Sequence, residues 1–210
     1  MTNLTIDPHA VLWREGGEEL LVLMHGFGSN AADLFALAPH LPTWATVASL
    51  EAPTESPDGV RSWFEFNPAV DSTDHSRIDA SAQAVLGWLD GLEQQPRAVH
   101  LLGFSQGAAL AVQLARLAPQ RFASVCHLSS FVHAGELPGD AELAAREPRL
   151  PLLQTIGTED QVIAAAKRER SIPWLDEHFA VERHHYRRGH AIAGEELGDI
   201  VAFLDRVRSA

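Results

Sequence analysis

The sequence predicts an α/β fold, with one mostly parallel central sheet, helices on both faces and no separate cap domain. Three observations predict it. Short apolar runs alternate along the chain with segments of helical periodicity, the order that builds a parallel sheet from crossover units. One such run, Val99-His100-Leu101-Leu102, leads through Gly103-Phe104-Ser105-Gln106-Gly107 into a series of small residues. That is the strand, sharp turn and helix of a G-x-S-x-G elbow. Finally, the 210 residues are 46 % hydrophobic and 21 % charged, enough for one sizeable core. We read residues 1–210 as one domain.

The elements follow in order. Residues 11–14 and 20–24 read as strands joined by Glu15-Gly16-Gly17-Glu18, a turn with glycine at its centre. Residues 45–50 read as a third strand. Residues 51–75 hold Pro53, Pro57 and Pro68 among Asp and Ser, an irregular stretch of functional length in which Trp63, Phe64 and Phe66 argue against disorder. Ile78, Ala82, Val85, Leu86, Leu89 and Leu92 form one apolar helical stripe. Strand 98–104, helix 106–117 and strand 123–128 come next. Strand 151–156 precedes a helix over 162–178, broken by Pro173. Strand 181–186 and a closing helix complete the set. That helix has Leu197, Ile200, Val201, Leu204 and Val207 on its apolar face, Glu195 and Glu196 in its first turn and Arg206 and Arg208 in its last, as the helix dipole favours. Segments 51–75 and 131–149 are the only candidates for a cover over a site.

In a parallel sheet the reactive site lies at the carboxyl ends of the strands. Four motifs follow strand ends: His25-Gly26-Phe27-Gly28-Ser29-Asn30, Ser105, Gly157-Thr158-Glu159-Asp160, and Arg188-Gly189-His190. A serine hydroxyl is a weak nucleophile and needs a base, and histidine titrates in the right range. The base needs a carboxylate to fix its tautomer. Ser105, Asp160 and His190 supply the three groups in the order serine, acid, histidine. Glu159 rivals Asp160 as the acid, and Asp160 also suits a helix N-cap. The backbone N–H groups of Phe27 and Gln106 are placed to hold an oxyanion. Trp63 is either a wall of the site or buried aromatic mass, and His25 reads as a structural histidine that holds the oxyanion loop.

The net charge of −12 argues against nucleic-acid binding and against stable membrane association. The longest aliphatic run is far too short to cross a bilayer, and no signal-peptide pattern opens the chain. Cys126 is the lone cysteine and reads as an inert core residue. A cytoplasmic location is the expectation. His184 and His185 are neighbours on a strand and face opposite sides, so no metal site is read there.

The ordered motifs resemble the phospholipase/carboxylesterase family of α/β-hydrolases, which includes the acyl-protein thioesterases. The matching stretches are His25-Gly26-Phe27-Gly28 with Asp33-Leu34, Arg61-Ser62-Trp63-Phe64 and Gly103-Phe104-Ser105-Gln106-Gly107-Ala108. Leu128-Ser129, Gly157-Thr158-Glu159-Asp160-Gln161-Val162 and Gly189-His190 with Glu195-Glu196-Leu197 continue the match. The resemblance implies the α/β-hydrolase fold and a cofactor-free serine hydrolase of esters or thioesters, with Ser105, Asp160 and His190 as triad. It implies Phe27 and Gln106 as oxyanion donors, and Trp63, Phe27 and Ser129 as substrate contacts. The chain departs from the family pattern at Ile156, where histidine is frequent, at Ser130, where glycine is frequent, and at Pro173. Short- to medium-chain soluble esters are the expected substrates. Acyl-protein thioesterase or lysophospholipase activity is the alternative, acyl transfer to another alcohol a further one, and a non-catalytic ligand-binding member of the fold the rival class. A homodimer is left open.

Overall fold

The computed structural model describes residues 4–65 and 75–208. Residues 66–74 of the expected 51–75 cover, Phe66 included, lie outside the described residues. The elements are β1 (Leu12–Arg14), β2 (Glu19–Met24), α1 (Ala31–Phe35), β3 (Ala45–Leu50), β4 (Thr54–Glu55), β5 (Arg61–Ser62), α2 (Ser76–Asp90), β6 (Val99–Phe104), α3 (Gln106–Leu117), β7 (Ser124–Leu128), α4 (Pro138–Ala144), β8 (Pro151–Gly157), α5 (Ala165–His178), β9 (Ala180–Tyr186) and α6 (Gly194–Val207).

Seven strands form one sheet in the order β1-β3-β2-β6-β7-β8-β9. All neighbours in it run parallel except β1 and β3. The period of two along each strand divides the apolar side chains between two cores. On β2, Leu20, Val22 and Met24 join one core while Leu21 and Leu23 join the other. The first core is completed by Ile78 and Val85 of α2, Leu110 and Leu114 of α3, Leu143 of α4 and Leu175 of α5. The second receives Leu34 of α1 and Ile200, Phe203 and Leu204 of α6. Both faces of the sheet are therefore covered, and the central strand β2 is buried along its whole length, whereas the edge strand β9 carries Glu182, Arg183, His184 and His185. Cys126 lies fully buried in the second core, where burial pushes its thiol pKa up.

Three expectations about local structure change. Strands β1 and β2 do not form a hairpin. The Glu15–Glu18 turn carries the chain past the start of β3, and β1 pairs with β3 instead. The glycines serve that passage, because a Cβ on Gly16 would lie 2.1 Å from the Ala45 carbonyl oxygen and one on Gly17 2.1 Å from that of Trp44. Helix α5 starts at Ala165 and runs through Pro173 without a break. Its expected first residues are held outside the helix, with the Val162 and Ile163 N–H groups donating to the Asp160 carboxylate. Two short helices, α1 and α4, occupy segments that lack a periodic stripe. Each has its own start signal: the Asn30 side chain caps Asp33 N–H at 3.1 Å, and Pro138 opens α4 beside Asp140, which accepts the Leu137 N–H.

Candidate active site

Strands β2, β6, β7, β8 and β9 end along the same edge of the sheet. Met24 is in register with Gly103, Phe104 with Leu128, Leu128 with Thr155 and Gly157 with Tyr186. The chain leaves β2 toward β3 on one side and returns to β6 on the other, so the two loops beyond β2 and β6 flank the point where the sheet order reverses.

Ser105 stands at that point with φ +53° and ψ −118°, a conformation costly for any residue with a Cβ. Close packing around the turn imposes it. A Cβ on Gly103 would lie 2.3 Å from the Gly107 carbonyl oxygen, and one on Gly107 would lie 2.0 Å from that of Met24. Helix α3 is thus pressed against the end of β2, and the loop after β2 lies beside Ser105. The Ser105 carbonyl oxygen accepts the Ser130 hydroxyl at 2.5 Å, which gives the unusual serine at 130 a place in bracing the turn.

Asp160 and His190 meet across the ends of β8 and β9. His190 Nδ1 donates to Asp160 Oδ2 at 2.8 Å. The other carboxylate oxygen, Oδ1, accepts the N–H groups of Val162 at 2.8 Å and Ile163 at 3.1 Å. The expected helix-cap use of Asp160 is not realised, because α5 begins only at Ala165 with Ala164 as its N-cap; one oxygen holds the turn before the helix and the other holds His190. Burial pushes this carboxyl upward in pKa, but the His190 bond and the two backbone bonds outweigh it and hold the group below its ordinary value. Glu159 instead faces outward and accepts Arg187 Nε at 2.8 Å. With Nδ1 committed to Asp160, Nε2 is the nitrogen free to exchange a proton. The His190 ring packs 4.8 Å from that of Phe104, the residue before Ser105. Among the described residues no hydrogen bond joins Ser105 to His190.

Neither Phe27 nor Gln106 donates its backbone N–H to a described acceptor. The loop that presents Phe27 is tied at both ends. Gly28, at φ +72°, donates its N–H to the Arg61 carbonyl at 2.8 Å, linking the loop to the small hairpin of β4 and β5. His25 donates from Nδ1 to the Gly26 carbonyl at 2.8 Å and accepts the Ala52 N–H on Nε2 at 3.1 Å. Acceptance at Nε2 requires a neutral ring, and burial lowers its pKa accordingly. The structural reading of His25 holds.

A family model described as Phospholipase/Carboxylesterase matches residues 13–208. The chain belongs to the phospholipase/carboxylesterase family. It is a serine hydrolase of the class that acts on esters or thioesters. A relative named acyl-protein thioesterase 1, from Mycosarcoma maydis, is 28 % identical over 179 residues, covering 80 % of this chain and 70 % of its own length. A dihydrolipoyllysine-residue acetyltransferase component of an acetoin cleaving system, from Pseudomonas putida, is 34 % identical over 116 residues; the match takes in 55 % of this chain but 28 % of that protein. The fold superposes on the Bacillus cereus carboxylesterase with a TM-score of 0.79 at 19 % identity, covering 94 % of each chain.

Two residues expected to touch substrate are placed elsewhere in this member of the phospholipase/carboxylesterase family. Trp63 is 0 % exposed and belongs to the core. Its indole N–H donates to the His25 carbonyl at 2.8 Å and its backbone N–H to Gln106 Oε1 at 2.9 Å. The Gln106 side chain also donates to the Phe64 carbonyl at 2.6 Å. Trp63 therefore supports the loop after β2 and the elbow from behind, as part of the core. Ser129 is likewise buried, at φ +49°, and its hydroxyl accepts Arg188 Nη1 at 2.8 Å. Phe27 differs from both, since it is 53 % exposed on the rim.

Arg188 and Glu196 are the residues that motif reading did not single out as a pair. Glu196 accepts both Nε and Nη2 of Arg188 at 2.7 Å. Only their adjacency to Gly189-His190 and to the start of the last helix signalled them.

A second serine–histidine–carboxylate chain exists at the opposite edge of the sheet. His100 Nδ1 bonds Ser124 Oγ at 2.8 Å and Nε2 bonds Glu19 Oε2 at 2.9 Å. All three are buried, so no substrate reaches them. A cavity of about 550 Å³ also lies at that edge, between Glu18, Trp13, Leu92 and Arg97, remote from Ser105.

Proposed function

We propose that Ser105 is the acyl-accepting nucleophile, His190 its base and Asp160 the carboxylate that orients His190. As Ser105 Oγ attacks the substrate carbonyl carbon, its proton passes to His190 Nε2. The carbonyl π pair becomes an oxyanion held by the Phe27 and Gln106 N–H groups. Collapse re-forms the carbonyl and breaks the bond to the alcohol or thiol, which leaves with the proton from His190. Water then attacks the acyl-serine and gives a proton to His190; collapse breaks the bond to Ser105 Oγ, which takes that proton back from His190 as the acid leaves. The 2.8 Å bond between Asp160 and His190 Nδ1 carries this reading, because it commits the imidazole to the tautomer the reaction needs.

Soluble esters of short to medium acyl chain are the substrates we propose, with apolar contact from Phe27 on the rim. The net charge of −12 disfavours anionic interfaces and highly anionic thioesters. Among the described residues no helix is long and apolar enough to cross a membrane. We place the enzyme in the cytoplasm on the strength of its lone, buried cysteine. Thioester cleavage on acylated proteins is a second reading, favoured by the name of the 28 %-identical relative from M. maydis.

A fluorophosphonate tests the reading. One equivalent should attach to Ser105, and Ser105→Ala should take no label and lose activity by about 10⁴ or more. Labelling at another residue overturns the assignment.

A further inference from the structure

A cavity of about 250 Å³ opens beside His190 on the α1 side of the sheet. Its walls include His190, Gly26 and Phe104, but neither Ser105 nor Phe27. That distinction locates it relative to a bound ester. The carbonyl carbon must lie at Ser105 Oγ and its oxygen at the Phe27 and Gln106 N–H groups. The oxygen or sulfur of the departing group must lie within hydrogen-bond reach of His190 Nε2, since His190 protonates it. A space bounded by His190 and apart from the nucleophile lies where the substrate continues past that atom.

The lining states what such a group must be. Leu34, Leu37, Phe104 and Ile192 make most of it apolar. Among the described residues Asp33 is its only carboxylate, and no lysine or arginine takes part. The carboxylate is held in place by Ser29 Oγ at 2.7 Å and Asn30 Nδ2 at 3.2 Å. Its charge stays uncompensated within the cavity, so a second negative charge there meets repulsion. Size sets a further limit. A dry apolar cavity of roughly 150 Å³ accepts benzene, so this one has room for an aryl ring or a branched alkyl group of similar bulk.

We propose that this cavity is the leaving-group site, and that it selects apolar alcohols or thiols, neutral or cationic, over small or anionic ones. The inference rests on the roles given above to Ser105 and His190, and it adds the identity of the departing half of the substrate.

The test holds the acyl group constant and varies the alcohol. Methyl, benzyl, para-carboxybenzyl and para-trimethylammoniobenzyl acetates are compared by kcat/KM with the full-length enzyme. Benzyl acetate should exceed methyl acetate by about tenfold or more, after correction for the intrinsic reactivity of each ester, a gain ordinary for filling an apolar pocket. The para-carboxybenzyl ester should fall about tenfold below the benzyl ester and the cationic ester should not. Leu37→Trp, which fills the cavity, should cut the benzyl-to-methyl ratio while the optimum acyl length of a para-nitrophenyl ester series stays the same. Asp33→Asn should narrow the gap between the benzyl and para-carboxybenzyl esters. Fluorophosphonate labelling of Ser105 in both variants separates a filled cavity from a misfolded chain. It also separates failure of this inference from failure of the triad assignment. A shift in optimum acyl length in Leu37→Trp would show that the cavity holds the acyl chain, and equal rates for all four acetates in a labelled wild type would show that it takes no part. Either result overturns the proposal.

Discussion

Arg188 grips Glu196 with two parallel hydrogen bonds of 2.7 Å, two residues before His190 in the chain. The Glu196 side chain is fully buried and also accepts the Thr155 hydroxyl at 2.5 Å and the Ala193 N–H at 3.0 Å. The third arm of Arg188 reaches the Ser129 hydroxyl at 2.8 Å and the Gly189 carbonyl at 3.0 Å. One guanidinium thereby ties the His190 loop to the end of β7 and the first turn of α6, and Glu196 extends the tie to Thr155 of β8. The acid loop approaches closely from the other side, since a Cβ on Gly157 would lie 2.7 Å from the Arg188 and Gly189 carbonyl oxygens.

Breaking this clamp should cost both stability and turnover. Glu196→Gln leaves Arg188 charged and without its counter-ion, and the loss of one partner of a buried pair costs about 3–5 kcal/mol. For a chain of this size that corresponds to a fall in Tm of roughly 10 °C. Because His190 is displaced and the cavity walls are mostly retained, kcat should fall more than KM rises. Thermal unfolding followed by steady-state kinetics reads both, and an unchanged Tm would remove the clamp from the account.

Asp160→Asn and Glu159→Gln should separate cleanly. An amide at 160 keeps the size of the side chain but no longer holds His190 in the required tautomer, a change worth about 10⁴ in kcat in a serine–histidine–aspartate system. Glu159 bonds exposed Arg187 on the outer side of the loop, so its amide should stay within about twofold of the wild type. The reverse order of effects would exchange the two roles.

Stability should decline as the solution is acidified below the ordinary histidine range. Burial lowers the pKa of His25, His100 and His127, the last from 6.5 to about 4. In the unfolded chain these rings take up protons near 6.5, whereas the folded chain resists until the pH is much lower. The stability they contribute is therefore complete above about 6.5 and is lost as the pH falls through the lowered values. His127 has a particular reason to resist, because among the described residues its buried Nδ1 has no partner and a proton there would be an uncompensated charge. This residue alone accounts for up to about 3 kcal/mol at the acid end. Urea titrations at successive pH values measure the effect, and a flat midpoint between pH 7 and pH 5 would refute it.

Two glycine-to-alanine changes should have opposite signs. Gly107→Ala drives a Cβ to within 2.0 Å of the Met24 carbonyl oxygen, where backbone must move, so the chain should be strongly destabilised or fail to fold. Gly198 lies within α6 with nothing within 4 Å of its Cβ position. Gly198→Ala should raise stability by about 0.5–1 kcal/mol through a less flexible unfolded chain and better helix propensity. Denaturant midpoints for the pair decide the matter.

The sequence alone determined the parallel α/β architecture, because apolar strands covered on both faces and a periodic helix such as 76–90 are local patterns that survive without tertiary information. It also determined where the chemistry had to be sought. Ser105, Asp160 and His190 each follow a strand, and a parallel sheet puts strand ends together. It could not place β1 beside β3, since pairing across a sheet depends on which neighbour the chain reaches, and two glycines that suit a hairpin suit a close passage equally well. Tertiary structure also decided the fate of Trp63. An aromatic residue beside a reactive loop has the same sequence signature whether it faces substrate or core, and only the indole bond to the His25 carbonyl distinguishes them. The same holds for Ser129, whose hydroxyl is taken by Arg188. Long-range polar bonds of this kind carry no periodicity, so Arg188 and Glu196, Gln106 and Trp63, and the decoy of Ser124, His100 and Glu19 became visible only when folding brought distant residues within 3 Å and burial separated the serine that solvent reaches from the one it does not.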